Sequence, residues 1–118
     1  MASVTGFGGA FLRARDPEAL ARWYEQHLGL ERTGASFVLP AARGPVALAF
    51  FARDDPYFPP QQAAMIDLRV DDLDGVLDAL ETAGVDVDPR RESSEFGRFG
   101  WFTDPEGNRV ELWQEPPA

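Results

Sequence analysis

The side chains able to do chemistry are few. The chain has no cysteine and a single histidine, His27, against 20 aspartates and glutamates and 11 lysines and arginines. Without cysteine there is no thiolate nucleophile, no thiolate metal site and no disulfide. His27 lies near the end of a helical stretch, four residues after Trp23 and just before Leu28 and Gly29. That placement suits contact with helix C-terminal carbonyls and the helix dipole, and a lone histidine has no partner for a triad. What remains is carboxylates and guanidinium groups set within apolar runs, chiefly Asp67, Glu111, Arg13 and Arg69. A carboxylate held among apolar walls has its pKa raised and becomes a candidate general base. Gly6, Gly8 and Gly9 do not form a phosphate loop, because a strand and not a helix follows them and no Lys-Ser/Thr appears.

The elements that must position these groups fit one compact domain spanning 1–118. A chain of 118 residues with 44% hydrophobic composition buries one core but not two average-sized ones. Ten prolines and eleven glycines among three tryptophans and nine phenylalanines describe short elements joined by tight turns around an aromatic interior. The net charge of −9 repels phosphate backbones and anionic lipid, which leaves small molecules and proteins as partners and excludes nucleic acid and membrane surfaces. Residues 1–10 carry no basic leader pattern, and no run of eighteen apolar residues occurs, so the expected location is cytoplasmic.

The chain repeats itself. Phe11-Leu12-Arg13-Ala14-Arg15-Asp16 lies over Asp67-Leu68-Arg69-Val70-Asp71-Asp72 at an offset of 56 residues, and Gly29-Leu30-Glu31 falls on Gly84-Val85-Asp86 after one inserted residue. Each half reads strand, aspartate-started helix, glycine stop, strand. In the first, Asp16 is an N-cap followed by Pro17 and Glu18, and Leu20, Trp23, Tyr24 and Leu28 recur at helical spacing before Gly29. In the second, Asp71 or Asp72 caps a helix with the stripe Leu73, Val76, Leu77 and Leu80, closed by Gly84. Further strands are expected at 36–39, 46–52, 96–103 and 109–114. Asp104-Pro105-Glu106-Gly107-Asn108 joins the last two as a hairpin loop. The pattern is βαβββ twice: module one at about 4–53, a connection at about 53–62 and module two at about 63–115. Tyr57 and Phe58 in the proline-rich connection read as anchors of a linker, with a lid over a pocket as the alternative.

Arg69-Val70-Asp71-Asp72-Leu73-Asp74 and Asp104-Pro105-Glu106-Gly107-Asn108-Arg109-Val110-Glu111-Leu112-Trp113 carry a resemblance to the vicinal oxygen chelate superfamily of glyoxalases, bleomycin-resistance proteins and extradiol dioxygenases. The resemblance implies an α+β fold in which two βαβββ modules form an open, eight-stranded curled sheet or barrel around a cavity, with two main helices outside, often in a homodimer. Strand alternation then divides the side chains. Ile66, Leu68 and Val70 belong under the helices, while Met65, Asp67 and Arg69 face the cavity. By the 56-residue offset Gly9, Phe11 and Arg13 also face inward, opposite Ala10, Leu12 and Ala14. Glu111 and Trp113 share a face, and Trp101 joins them as either an aromatic wall for a planar ligand or a core residue. Arg13 and Arg69, equivalent in the two halves, are equally readable as structural ion-pair partners.

Metal-using members of such a family hold a divalent ion through His or Gln on the first strand, Glu on the fourth, His on the fifth and Glu on the eighth. Those positions fall here on Gly9, on an apolar strand at 46–52, on Met65 and on Glu111. One carboxylate is far from a catalytic ligand set, so no metal and no other cofactor is expected. The reading that follows is a metal-free protein that binds a small organic molecule for sequestration, sensing or resistance. The alternatives are a lyase, isomerase or dioxygenase with an atypical metal site or with Glu111 or Asp67 as general base, and a non-catalytic dimerisation module.

Overall fold

A computed structural model describes residues 9–39 and 46–117. In the first half, helix α1 spans Pro17–Leu28, followed by the short strands β1 (Arg32–Thr33) and β2 (Ser36–Phe37). In the second half come β3 (Ile66–Arg69), helix α2 (Leu73–Thr82), β4 (Asp86–Val87), β5 (Glu92–Ser94), β6 (Gly97–Thr103) and β7 (Arg109–Gln114).

Both helices start and stop where the side chains require. The Asp16 carboxylate accepts from Ala19 N at 3.1 Å, Pro17 needs no N–H partner in the first turn, and Gly29 ends α1 in the left-handed conformation at φ 69°. Of the two aspartates before α2, Asp72 is the cap, accepting from Gly75 N at 3.1 Å. Gly84 follows α2 at φ 83°, the conformation of a helix stop.

The second half completes the expected βαβββ unit. Its sheet runs in the order β3-β7-β6-β4, with β5 also paired to β6. β3 is parallel to β7, and the remaining pairs are antiparallel. β4 and β5 lie along the same edge of β6 as one strand interrupted around Pro89, which has no N–H to give a ladder; Asp88 N donates to Trp101 O at 2.9 Å across the gap. Gly97 begins β6 at φ 121°, and a Cβ there would lie 2.2 Å from the Gln114 carbonyl oxygen, so the start of β6 can approach β7 only as glycine.

One face of this sheet is apolar and carries α2. Leu73, Leu77 and Leu80 of the helix pack on Phe102, Val110 and Leu112, all fully buried. Leu68 and Val70 join them from the β3 side, and Trp23, Tyr24 and Leu28 do so from α1. Alternation thus sorts Leu68 and Val70 to the helix side, as their period predicts. No helix among the described residues is long and apolar enough to cross a membrane.

The α+β class and the open, unclosed sheet are as the resemblance implies, and the described residues hold seven strands of it, in sheets of five and two. The first half differs from its expected form. β2 stops at Phe37, and residues 9–14 and 46–52 pair with no strand among the described residues. Phe11, Val38 and Phe50 stand 99%, 95% and 90% exposed. A strand is stabilised by its neighbour and by the face it buries, and these segments have neither within the described chain. The start of module one, with Gly6 and Gly8, lies outside the described residues.

Asp104 joins α1 to the last hairpin. It is buried, accepts from the Tyr24 hydroxyl at 2.8 Å, and holds the loop through Glu106 N, Asn108 N and the Asn108 side-chain amide at 2.9–3.1 Å. Burial first, then the Asp104 charge, keep the Tyr24 phenol protonated far above its ordinary range. Asp104→Ala strands several donors at once and is expected to lower stability by about 2–4 kcal/mol, against about 1 kcal/mol for Tyr24→Phe. Urea unfolding of the two variants measures both; equal losses would show that the loop bonds contribute nothing beyond the tyrosine contact.

Candidate functional site

The sheet face opposite α2 is built in rows across β3, β7 and β6. In one row Arg69 pairs with Trp113 and Trp113 with Phe99; in the next Asp67 pairs with Glu111 and Glu111 with Trp101. Arg109 stands opposite Thr103 two residues earlier on β7. The period of two that buries Leu68, Val110, Leu112 and Phe102 therefore delivers two carboxylates, two arginines and three aromatic rings to the other side.

The middle row is the chemically unusual one. Glu111 is buried, and its Oε1 accepts from Trp101 Nε1 at 3.1 Å and from the Tyr57 hydroxyl at 2.5 Å. Asp67 lies directly beside it in the parallel register. Crowding by the surrounding protein, followed by the hydrogen bond to and repulsion from Glu111, pushes the Asp67 carboxyl up to about 8, with Arg69 opposing. Trp101 is fully buried, and the guanidinium groups of Arg90 and Arg109 each lie 5.2 Å from its ring centre. Two cations facing one ring offset the acidity of the row.

At one end of the face, Trp113 is parallel to Phe99, with ring centres 6.2 Å apart and planes at 5°, and its Nε1 donates to Phe96 O at 2.7 Å. Arg69 covers the Trp113 ring at 4.8 Å and pairs with Glu115 at 3.3 Å. At the other end the connection folds against the sheet. Arg109 Nε donates to Tyr57 O at 3.0 Å, its other nitrogen pairs with Asp88 at 2.9 Å, and Gln62 exchanges hydrogen bonds with the backbone of Arg109. A cavity of about 480 Å³ opens between residues 55–59 and Asp88, Arg90 and Arg109. Tyr57 serves both regions, lining the cavity and reaching Glu111.

The structure brings Asp67, Arg69, Trp101, Glu111 and Trp113 of the expected set onto one face. Met65 immediately precedes β3 and is half-buried. Gly9, Phe11 and Arg13 are not brought there: all three are exposed and in no strand, because alternation has no direction without a ladder to define the faces. His27 packs against Trp23, ring centres 4.8 Å apart, at a second cleft of about 310 Å³ between the end of α1 and residues 83–86, whose lining includes neither Asp67 nor Glu111.

Three residues of the site stand outside the expected set. Arg109 was legible, since it shares the odd-numbered face of Glu111 and Trp113. Arg90 had no periodic signal. Tyr57 anchors the connection, as its proline-rich setting leads one to expect, and the group it anchors on is Glu111.

The ion that the resemblance implies does not fit these donors. Among the described residues no group of three His, Cys, Asp or Glu could hold a metal ion, and residues 1–8, 40–45 and 118 contain none of those types. Beside Glu111 stand an indole N–H, which can only donate, a phenol already donating to the carboxylate, and the proton-retaining Asp67.

Comparison with known proteins agrees with this architecture. Residues 6–112 match the model of the Glyoxalase/Bleomycin resistance protein/Dioxygenase superfamily. TnmS3, an antibiotic binding protein from Streptomyces sp. CB03234, superposes with a TM-score of 0.58 at 25% identity, over 89% of this chain and 91% of that one. Lactoylglutathione lyase from Agrobacterium tumefaciens superposes at 0.59 and 17% identity over 96% of each chain. The oxidase ChaP-H1 does so at 0.55 and 21% identity, over 87% of this chain and 90% of that one. No curated protein matches the sequence.

The raised Asp67 pKa has a definite sign in stability. The folded chain holds a proton that the unfolded chain gives up near pH 3.8, so the Asp67 contribution is full below about pH 4 and is lost as pH rises through about 8. Asp74, Asp88 and Glu106, held low by their arginine and backbone partners, act in the opposite sense and lose their contribution only toward low pH. Asp67→Asn is expected to flatten the decline in melting temperature between pH 5 and 8. An unchanged slope in the variant would show that the folded chain does not hold the Asp67 proton above its ordinary range.

Proposed function

The chain belongs to the Glyoxalase/Bleomycin resistance protein/Dioxygenase superfamily, and from that premise we propose that it is a metal-free, cytoplasmic small-molecule-binding protein holding its ligand against the Asp67–Glu111 face. The observation that carries this reading is Glu111 itself. The family-position carboxylate is tied to the Tyr57 hydroxyl and the Trp101 indole, an arrangement suited to receiving a hydrogen-bonding organic ligand and ill-suited to an ion. Aromatic walls with a few placed polar groups are the usual make-up of a ligand site. The similarity to TnmS3, described as an antibiotic binding protein, supports the binding of a small molecule.

A second reading is favoured by Asp67. A carboxyl near 8 beside a fixed carboxylate is suited to move a proton at neutral pH, as a general base in a lyase or isomerase does. One set of measurements separates the two. Under the binding reading, members of a broad metabolite and drug panel raise the melting temperature in a saturable way with no product formed, while nickel, zinc, manganese and iron(II) produce no shift. Glu111→Gln weakens binding by about tenfold through loss of a charge-assisted acceptor. Turnover abolished by Asp67→Asn would establish the enzyme, and an ion-specific shift abolished by Glu111→Ala would restore the metal.

We also propose that two copies associate through the first half. Phe11, Val38, Leu48 and Phe50 are exposed, whereas Leu68, the counterpart of Leu12 in the second half, packs on the core. Apolar exposure of this extent marks an interaction surface. Light scattering is expected to give a dimer, and Phe11→Asp together with Phe50→Asp to give a monomer; a wild-type monomer at micromolar concentration would refute the association.

A further inference from the structure

The group already seated on Glu111 gives the chemical class of the ligand. Tyr57 belongs to the connection between the halves, and its phenol is received as a bound molecule would be. The hydroxyl donates to Glu111 Oε1, the ring lies on Phe51 with centres 5.0 Å apart, and it meets the Trp101 ring edge-on at 5.7 Å and 85°. Its own backbone is held separately, through Tyr57 N to the Asp55 carboxylate at 2.9 Å and Arg109 Nε to Tyr57 O at 3.0 Å. The ring can therefore leave Glu111 by side-chain rotation without release of the connection.

Resting on the binding reading above, we propose that Tyr57 is a built-in stand-in for the ligand, and that the site takes neutral hydroxyaromatic molecules whose phenol O–H replaces that of Tyr57 on Glu111. The surroundings select for this class from several directions. Glu111 disfavours a carboxylate or phenolate, while Arg90 and Arg109 already cover the Trp101 ring, where a ligand cation would otherwise sit. An uncharged donor on an aromatic ring satisfies both. Burial and the hydrogen bond to Glu111 hold the resident phenol protonated well above its ordinary range, and a visiting phenol on the same acceptor is held protonated likewise. The cavity of about 480 Å³ that Tyr57 lines has room for the displaced ring or the remainder of a ligand larger than one ring.

Exchange of one phenol for another leaves the hydrogen-bond count unchanged, so the resident ring acts as a competitor and lowers the apparent affinity to the fraction of time that it leaves the site free. Tyr57→Ala removes that competitor. Calorimetric and thermal-shift titrations with p-cresol are expected to show binding to Tyr57→Ala about tenfold or more tighter than to the wild-type chain. The matched ether 4-methylanisole, which has no O–H, is expected to bind neither. Equal affinity of variant and wild type for p-cresol, or equal binding of p-cresol and the ether, overturns the proposal. Independently of how the variant folds, the wild-type chain is expected to prefer 2-naphthol over 2-methoxynaphthalene, and no preference overturns the proposal as well. If other panel compounds bind the wild type while phenols show no preference, the hydroxyaromatic assignment falls and the binding reading stands; if nothing binds, the binding reading falls with it.

Discussion

The parallel register of β3 against β7 is the constraint on which the second half depends. It sets Leu68 beside Leu112 on one face and Asp67 beside Glu111 on the other, and the antiparallel pairing of β7 with β6 extends the division to Phe102 and Trp101. A slip of β7 by one residue would carry Glu111 under α2 and expose Val110 and Leu112, and a slip of β3 would do the same to Asp67 and Leu68. The leucines of α2 prevent it, because Leu73, Leu77 and Leu80 find their apolar partners in this register alone. The hydrophobic core thus holds two carboxyl groups next to each other, an arrangement no local preference favours.

The polar face answers that arrangement with a proton and a set of donors. Asp67 retains its proton to higher pH, Tyr57 and Trp101 donate to Glu111, and Arg90 and Arg109 face the buried Trp101 ring. These groups come from β3, β6, β7, the segment after β4 and the connection before β3. The site is therefore a property of the assembled module, and its closure by Tyr57 couples the connection to the chemistry of the last strand.

The two halves show how far similar sequence can lead to different structure. Asp16 and Asp72 each cap a helix with the same geometry, since a cap needs only residues within one turn. Leu12 and Leu68 occupy equivalent positions, yet Leu68 packs on the core and Leu12 is 48% exposed. The difference lies in the neighbours. β3 has β7 to pair with, whereas residues 9–14 have no ladder partner among the described residues. Strand formation is decided by what lies alongside, and the repeat in the sequence carries no information on that point.

The sequence by itself determined the helices and their caps, the hairpin around Asp104 to Asn108, the βαβββ order of the second half, and the common face of Glu111 and Trp113. Each follows from spacing within a few residues or from the period of a single strand. Tertiary structure alone decided that Asp67 lies against Glu111, that Arg90 meets Trp101, that Tyr57 reaches across from the connection, and that Phe11 and Arg13 stay away from the site. Those outcomes depend on register between strands distant in the chain and on where a proline-bounded connection docks. Several of these contacts join residues far apart in the chain, as Glu111 with Tyr57 at 54 positions and Arg109 with Gln62 at 47 do, and no periodicity along the chain encodes them.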